Sequence, residues 1–473
     1  AYWPGFLEAA SLPRYFLIGA LGGLALLVLL GSARNKASHF SWHPLFGFFV
    51  AFFFWASITT AWSPDAGNSL IDISRLAAMI ILSFLGMQVV RRPEFTSLLL
   101  PAFFGGSLLA AIIGIGQHYG YNPLELRLQE HNIASTFINR NHAAVYFDFV
   151  VPSSLVAILL YKNTGYRVLA AATAGAGMAF LLLNKNRGSL LALLVTLTVL
   201  TIILWSNRQF RQLAIERAYR VRRHFILALL VPFLVLILPS ASSNQAEWNT
   251  ALLENRVDSS TNIRINAYIN TLPLILQQPL TGSGYGGFRM SFRPHATSVR
   301  PRSSLKEDNV MGALHNDPLQ HLVELGLPGL LLALLIYLAT LRIGWPTPDS
   351  KQDSSTVFLK LGLFLALLAA GIHSLVDFPL RLPASAALFW FFLGSLVGLA
   401  ARKPRQRNIS PGLQKALLGT VSAYLLFTLV FYFHYFKGSK DLYTATACIQ
   451  KNDCRTAIDA IENSMQEFDL NYV

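Results

Sequence analysis

Residues 240–318 form the only long polar segment of an otherwise apolar chain, and they lead into Leu314-His315-Asn316-Asp317-Pro318-Leu319-Gln320. Immediately after this segment the chain returns to an apolar run. A histidine therefore lies at the start of a predicted membrane helix, beside a loop rich in arginine. We interpret the rest of the chain as a frame that holds this loop over a bilayer. The basic residues of the loop are Arg256, Arg264, Arg289, Arg293, Arg300, Arg302 and Lys306.

The apolar runs outside this loop predict an integral membrane protein built of helices. The sequence is 53% hydrophobic and 13% charged, whereas about 25% of the residues of a soluble domain are charged. A helix needs about 20 apolar residues to cross a bilayer, and the runs are continuous, without the alternation of a barrel strand. The predicted fold class is therefore all-α: a polytopic membrane protein with about 12 transmembrane helices, a long loop and a short helical tail.

The predicted spans follow the apolar runs along the chain. They cover residues 15–32, 43–62, 70–90, 96–118, 143–161, 167–183, 188–205, 224–239, 319–342, 357–377, 384–401 and 413–436.

The connections between these spans fall into two alternating sets. One set is basic, with residues such as Arg91, Lys162 and Arg217, and the positive-inside rule assigns it to the cytoplasm. The other set is predicted to face the periplasm, because long loops are translocated largely regardless of their charge. It consists of residues 63–69, 119–142, 184–187, 240–318 and 377–383. The basic loops account for the net charge of +14, and no nucleic-acid-binding motif accompanies them, so no nucleic-acid partner is predicted.

Three parts of the chain are predicted from this topology. Residues 1–14 are a periplasmic segment, and since the chain begins at Ala1, we expect a missing upstream span. Residues 15–436 are the transmembrane domain, including the loop 240–318. Residues 437–473 form a periplasmic pair of short helices, broken near residues 451–453, which fits either a plain hairpin or the start of tetratricopeptide-like repeats.

His315 is the leading candidate for chemistry at the predicted outer face. Imidazole titrates near neutral pH and can accept a proton from a hydroxyl. Helical spacing would place His315 and Leu319 on one face, and would stack Gln320 on Glu324 one turn apart. Asn316 follows the histidine directly. The structural alternative is an interfacial histidine satisfied by a neighbouring carbonyl.

Three arginines are candidates for binding phosphate, because the guanidinium fork matches phosphate oxygens. Arg187 lies between two spans, where a cation counts as a functional candidate by default unless it simply extends to the membrane surface. Arg264 lies in the long loop, and Arg289 follows the glycine-rich run 282–287. Four glycines let the backbone approach a ligand closely, but no strand precedes them, so a nucleotide loop is not predicted.

Two further motifs lie at predicted outer ends of spans. The first is Asn139-Arg140-Asn141-His142, and the second is His373-Ser374-Leu375-Val376-Asp377. Asp377 is expected to hold either an arginine or the catalytic histidine, or else to be a helix-end residue before a proline turn. Arginines and a histidine on one face of a membrane suit a lipid diphosphate, displaced by an acceptor hydroxyl with histidine as the base. No Cys/His cluster has metal-ligand spacing, so neither a metal nor a cofactor is predicted.

Several of these motifs together resemble the O-antigen ligase and Wzy-type polymerase superfamily. The resemblance rests on residues 315–329, on Asn186-Arg187-Gly188, on the Arg264 segment running into 279–284, and on residues 373–379, which occur in the order seen in the family. It covers most of residues 15–400. The stretch 139–142 resembles a motif of polymerases and protein-glycosylating members, and no role follows from it.

The resemblance implies a GT-C-type glycosyltransferase of the bacterial inner membrane, active at the periplasmic face. Such an enzyme moves a glycan from undecaprenyl diphosphate to an acceptor, with inversion and without a metal. His315 would be the base, and Arg187, Arg264 and Arg289 would bind the diphosphate. The supporting residues would be Asn141, His142, Asn316, Gln320, Glu324, His373 and Asp377. The acceptor could be lipid A core, a growing polysaccharide or a protein, and these three alternatives stay open. The repeat-like tail favours a polymerase.

Two other classes fit parts of the pattern. A multi-pass transporter of a small anionic solute would line its path with charged side chains. No inverted repeat with broken helices at matched positions is seen, and the charged residues cluster at one face. A peptidoglycan-type polymerase would lead with an acidic catalytic residue in the long loop, whereas this loop is basic and ends in His315.

Overall fold

The computed structural model describes residues 11–32, 41–122, 133–137, 139–238, 259–296, 311–346, 353–400, 410–450 and 454–467. The described residues form sixteen α-helices and no strand, which confirms the all-α class. The helices are α1 Ser11–Ser32, α2 Leu45–Thr59, α3 Ala66–Val89, α4 Leu100–His118, α5 Arg140–Leu160, α6 Thr164–Asn184, α7 Arg187–Ser206, α8 Arg208–Arg220, α9 Arg222–Ile237, α10 Ser259–Gln277, α11 Phe288–Phe292, α12 Asp317–Gly344, α13 Ser354–His373, α14 Pro383–Ala400, α15 Pro411–Gln450 and α16 Cys454–Glu467.

Each predicted span has a helix at its position. Within the described residues, ten helical segments are long and apolar enough to cross a membrane, and a further apolar helix, Pro383–Leu399, is shorter. The helix Arg222–Ile237, at 16 residues, is also short for a span, since about 20 residues are needed. Residues 240–258, 297–310 and 1–10, with Arg256, Arg300, Arg302 and Lys306, lie outside the described residues.

The helices around the site pack closely because small residues lie where they cross. Helix α3 packs along α14, and α5 packs along α13. A Cβ on Gly394 of α14 would lie 1.8 Å from the carbonyl oxygen of Ser83 on α3. Gly86 of α3 approaches the carbonyl oxygen of Phe391 in the same way. Such close crossings are the usual way that membrane helices gain packing energy.

Helix α12 is interrupted one third of the way along. Gly326 has φ 65° and ψ −172°, a conformation that is essentially restricted to glycine. Pro328 follows two residues later and has no N–H to donate to the carbonyl one turn earlier. An interruption inside a membrane helix is tolerated where other groups pair with the released backbone.

The glycine-rich loop supplies those partners. Ser283 N–H donates to the Val323 carbonyl at 2.8 Å, and Gly284 N–H donates to the Glu324 carbonyl at 3.0 Å. Leu325, the next residue, accepts a hydrogen bond at 2.9 Å from the indole N–H of Trp55. The close backbone approach expected of these glycines is therefore made to helix α12, and the glycines have a structural use.

The predicted tail differs from the structure at its first helix. Helix α15 runs without a break from Pro411 to Gln450, so the span 413–436 and the first short helix of the tail are one helix. Helix α16 packs back against it, with Ser464 Oγ donating to the Gly438 carbonyl at 3.1 Å. The predicted break at 451–453 lies outside the described residues.

The connections gather at two opposite ends of the helix bundle. We call one the site end; it contains 60–69, 133–142, 184–188, 279–287, 311–317 and 374–382, and cross-contacts such as Asp317 N–H to the Ser374 carbonyl at 2.9 Å join its loops. We call the other the basic end; it contains 90–95, 160–164, 207–222 and 353–354. The described parts of the two predicted sets of loops therefore lie at the two ends.

Candidate active site

His315 lies just before helix α12, in a loop whose shape is set by its own backbone contacts. It has φ 53°, and its carbonyl accepts a hydrogen bond from the Tyr268 hydroxyl at 2.8 Å. Burial raises the pKa of Tyr268, which keeps that hydroxyl protonated as a donor. The prediction that His315 shares a helical face with Leu319 is wrong, because the helix begins only at Asp317.

The imidazole of His315 is paired with a carboxylate from a distant segment. Its Nδ1 lies 2.9 Å from Oδ1 of Asp377, and the two side chains are 27% and 3% exposed. The Phe378 ring stands edge-on to the imidazole, with centroids 4.6 Å apart. Because the partner is a carboxylate and not a carbonyl, the interfacial alternative for His315 does not describe the structure. Asp377 is accordingly the residue that holds the histidine.

Asp377 is held ionised by its surroundings. Burial by itself would raise its pKa, but the hydrogen bond from His315 and the electrostatic influence of His315, His373 and Arg264 lower it below its usual value. The N–H of Phe378 donates to the same Oδ1 at 3.0 Å. An ionised Asp377 accepts a hydrogen bond from the Nδ1–H of His315, which leaves Nε2 of a neutral imidazole with its lone pair available.

A second histidine–carboxylate pair lies behind the first, inside the bundle. His373 Nδ1 lies 2.5 Å from Oδ2 of Asp148, and its Nε2 lies 3.8 Å from Oδ2 of Asp377. Ser189 Oγ is 3.2 Å from the same Nδ1. Asp148 is eight residues into α5, which is about 12 Å along a helix. The prediction that charged residues cluster at one face is therefore only partly met, because His373 and Asp148 extend the charged groups from Asp377 into the bundle.

Arg264 of α10 reaches the same segment from the outer side. Its Nη1 donates to the Val376 carbonyl at 2.6 Å, one residue before Asp377. Its charge also contributes to the lowered pKa of Asp377. The structure therefore brings the predicted arginine, the predicted histidine and the predicted carboxylate together, although they are far apart in sequence.

Arg187 begins α7 on the other flank of His373. Asn186 caps that helix with Oδ1 on the Ser189 N–H at 2.9 Å, and it donates to Asn141 Oδ1 at 2.9 Å. A Cβ on Gly188 would lie 2.7 Å from His373 Nε2, so only glycine fits beside the imidazole. The motif around Asn141 and the motif around Arg187 are thus hydrogen-bonded neighbours.

His142 borders the site through Phe378, and Arg289 lies on the short helix α11. The His142 ring faces Phe378 with centroids 5.9 Å apart, so it shares that aromatic neighbour with His315. Arg289 is exposed on the short helix α11, whose Phe288 and Phe292 are buried. Among the three predicted arginines, Arg264 donates a hydrogen bond into residues 374–378, to the Val376 carbonyl.

The supporting polar residues of α12 fix the loop that carries His315. Asn316 caps the helix through the Leu319 N–H at 2.8 Å and donates to the Leu375 carbonyl at 2.9 Å. Gln320 accepts from the Leu314 N–H at 3.0 Å and donates to Glu324 Oε1 at 3.1 Å. The predicted stacking of Gln320 on Glu324 is confirmed. These contacts hold the residues on both sides of His315.

A cavity of about 470 Å³ opens beside His315, within the usual range of about 300–1,000 Å³ for small-molecule sites. Its wall combines aromatic, polar and apolar side chains. They include Tyr15, Asn68, Tyr285, His315, His321 and Trp390. Its lining contains neither Arg264 nor Arg187. His315 therefore borders the cavity, while Arg264 and Arg187 lie outside its lining.

Four charged side chains form a network at the cavity. Arg381 donates to Glu324 Oε2 at 2.5 Å and to Asp72 Oδ2 at 3.3 Å, and Arg75 lies 3.1 Å from Asp72 Oδ1. Burial would lower the pKa of Arg381, but the carboxylates of Glu324 and Asp72 raise it, so the guanidinium is charged. Two cations and two anions cancel, so the network carries no net charge.

Asp72, Arg75, Arg381 and His321 line the cavity but are not among the site residues predicted from sequence. Asp72 and Arg75 were detectable, because charges three residues apart within an apolar span mark a functional or paired position. Arg381 follows the recognised motif 373–379 by two residues, but its partners lie in two other helices. His321 is buried at the cavity, and its Nδ1 makes no hydrogen bond to the described residues.

Residues 169–334 match a family model described as O-antigen ligase, Wzy_C. The matched segment contains Arg187, Arg264 and His315, and ends before His373 and Asp377. No curated protein matches the chain.

Proposed function

We propose that the chain, whose residues 169–334 match the O-antigen ligase family model, is an inverting, metal-independent glycosyltransferase of the bacterial inner membrane. The donor is a glycan on undecaprenyl diphosphate, and the acceptor is a sugar hydroxyl of a polysaccharide or lipid A core. Transfer takes place at the site end of the bundle, which faces the periplasm. The alternating charge of the loops supports this orientation, because basic loops stay in the cytoplasm.

The His315–Asp377 pair carries the proposal. With its Nδ1–H hydrogen-bonded to Asp377, His315 accepts the acceptor's O–H proton at Nε2. The oxygen then forms a bond to the anomeric carbon as the bond from that carbon to the diphosphate breaks, and the lipid diphosphate leaves. Asp377 stabilises the imidazolium that forms, because an ionised carboxylate strengthens the hydrogen bond to it.

The donor diphosphate is proposed to bind on the arginine side of His315. The described hydrogen bond of Arg264 goes to the neutral carbonyl of Val376, so the guanidinium keeps donors for phosphate oxygens. Arg187 begins a helix, where the backbone dipole also favours an anion. Negative charge that builds up on the departing diphosphate would be stabilised by both groups.

The acceptor sugar is proposed to enter the 470 Å³ cavity on the opposite side. The network of Arg381, Arg75, Glu324 and Asp72 is neutral overall, and so does not attract a diphosphate. It presents donors and acceptors together, as a polyhydroxylated ring requires, and Tyr285 and Trp390 offer aromatic faces. An attack from this side, opposite to the leaving diphosphate, inverts the anomeric centre.

Single-turnover transfer by His315→Ala tests the proposal. With saturating lipid-diphosphate glycan and a candidate acceptor, the rate should fall by about 10²–10⁴-fold, while donor binding is retained and a chelator has no effect on the wild type. His224→Ala, at the basic end, is the matched control and should transfer normally. Wild-type transfer by His315→Ala with bound donor would remove His315 as the base. Solute uptake without any transfer by the wild type would favour the transporter.

Arginine-to-lysine variants test the donor side separately. Arg264→Lys and Arg187→Lys keep the charge but lose the planar fork, so we expect weaker donor binding and slower turnover in both. Arg208→Lys at the basic end is the control for the same exchange. Normal donor affinity in both variants would take the arginines out of the site without affecting the test of His315.

A further inference from the structure

A second cavity lies at the basic end, far from His315 in the fold. It measures about 670 Å³, and it is bordered by the ends of α3 and α5 and by the starts of α6 and α13. The wide turn Phe95–Leu99, a π-helical segment ahead of α4, adds one wall, and such segments occur frequently at functional sites. No residue of the glycosyl-transfer site lines it.

A buried hydroxyl lacks a partner in this cavity. Tyr161 is 6% exposed and lines the cavity, yet its hydroxyl makes no hydrogen bond to any residue that the structure describes. A buried polar group without a partner costs about 1–3 kcal/mol, and such groups usually bind water or a ligand. The Tyr161 hydroxyl is therefore available to donate a hydrogen bond to an oxygen of a ligand.

The other polar groups of the cavity favour an anion. Arg91, Arg92 and Lys162 line it against one carboxylate, Asp353. Arg91 is fixed in the wall by donating to the Gly398 and Leu399 carbonyls at 2.8 and 3.3 Å. Arg92 and Lys162 are exposed, so their charged ends can move to a bound group.

Apolar surface continues from the cavity mouth along the bundle. Leu98 and Leu99 follow Ser97 of the cavity wall and are 62% and 43% exposed, and Val168, two residues after Tyr166, is 44% exposed. Acyl chains of a membrane lipid would cover these side chains. A small soluble anion would leave them uncovered, so the surface favours a lipid over a free phosphate.

We propose that this cavity binds the phosphate headgroup of an anionic glycerophospholipid, with its acyl chains on Leu98, Leu99 and Val168. Basic pockets between membrane helices at the cytoplasmic side bind such headgroups. Arg92, Lys162 and the Tyr161 hydroxyl contact the phosphate oxygens, and Asp353 opposes the anion. The site is independent of the proposed glycosyl transfer, because none of its residues belongs to that site.

Native mass spectrometry of the delipidated full chain tests this site with phosphatidylglycerol as the probe. Each cation near a membrane surface contributes about fivefold in affinity, so Arg92→Gln with Lys162→Gln should weaken binding more than about tenfold. Arg208→Gln with Arg223→Gln removes the same charge from exposed positions at the same end and should change it by less than about twofold. An equal loss in both double variants would mean general charge attraction and would overturn the proposal.

Two single variants move the affinity in opposite directions. Asp353→Asn should tighten phosphatidylglycerol binding several-fold, because it removes the opposing charge, whereas Tyr161→Phe should weaken it by about tenfold through the lost hydrogen bond to a charged group. Phosphatidylcholine at the same concentration should bind at least about tenfold more weakly. Unchanged affinity in both variants, or full competition by sn-glycerol 3-phosphate at a similar concentration, would refute a lipid site here.

Discussion

Replacing Asp377 with asparagine changes one charge and leaves the shape of the site. The side chain is 3% exposed and hydrogen-bonded to His315 Nδ1 at 2.9 Å, and asparagine fits the same space. The amide no longer carries the charge that stabilises an imidazolium. If its NH₂ group turns towards Nδ1, the His315 proton moves to Nε2, and the base loses its lone pair on the acceptor side.

The expected effect follows from the strength of this hydrogen bond. A hydrogen bond to a charged group contributes about 1.5–3 kcal/mol, and about 1.36 kcal/mol changes a rate tenfold. Loss of the charge alone therefore slows transfer roughly 10- to 150-fold. The wrong tautomer adds to this loss, up to the roughly 10²–10⁴-fold expected when general-base catalysis is absent.

A double-mutant cycle in single-turnover transfer distinguishes this role from others. Because Asp377 acts through His315, Asp377→Asn should slow the wild type and have almost no effect in the His315→Ala background. Asp459→Asn, in the exposed part of α16, is the matched control. Equal rate losses in both backgrounds would show that Asp377 acts independently, for example by placing Arg264, and would refute the pairing as the source of catalysis.

The same variant has a pH-dependent stability that the lowered pKa predicts. A carboxyl whose pKa is lower in the folded state stabilises the fold above its unfolded pKa, and this contribution is lost as the pH falls through the folded pKa. The ordinary pKa of this carboxyl is 3.8. Thermal unfolding should therefore show that Asp377→Asn is less stable than the wild type by a constant amount above about pH 5. The deficit should shrink below pH 3.8. A deficit that grows on acidification would contradict an ionised Asp377.

Two further predictions concern the frame. Gly326→Ala places a Cβ 2.2 Å from the Leu280 carbonyl oxygen at φ 65°, so it should lower the free energy of unfolding by at least about 1–3 kcal/mol and lower the melting temperature accordingly. Gly419→Ala, with open space around the glycine, should leave the melting temperature unchanged, and equal melting of the two variants would show that the break in α12 is not needed. In a background lacking native cysteines, an impermeant thiol reagent applied to intact cells should label a cysteine at Asn266 and not one at Arg217, and the reverse pattern would invert the topology.

Local pattern was enough to predict the helices and the position of the polar motifs at helix ends. Continuous apolar runs can satisfy backbone groups in a bilayer only as helices, so every predicted span has a helix near its predicted position. Polar motifs such as 186–188 and 315–317 had to lie at helix ends, because charge is costly inside lipid. The capping of α12 by Asn316 follows from the same local rules.

The end of the last span was not predictable from the same rules. Hydropathy falls after residue 436, which favoured a break there, but α15 continues to Gln450. The packing of α16 along it, with Ser464 bonded to Gly438, stabilises helix beyond the apolar run. Tertiary contact thus outweighed the change in composition.

What the sequence by itself determined is that this chain is a helical membrane protein with a histidine, arginines and a carboxylate at one end. Only the tertiary structure decided which of them pair: His315 with Asp377, Arg381 with Glu324 and Asp72, and the glycine loop with the break in α12. The physical reason is that helical periodicity relates residues three or four positions apart. A buried charge or a released carbonyl requires a partner, and that partner is whichever group helix packing brings within about 3 Å, however distant in sequence.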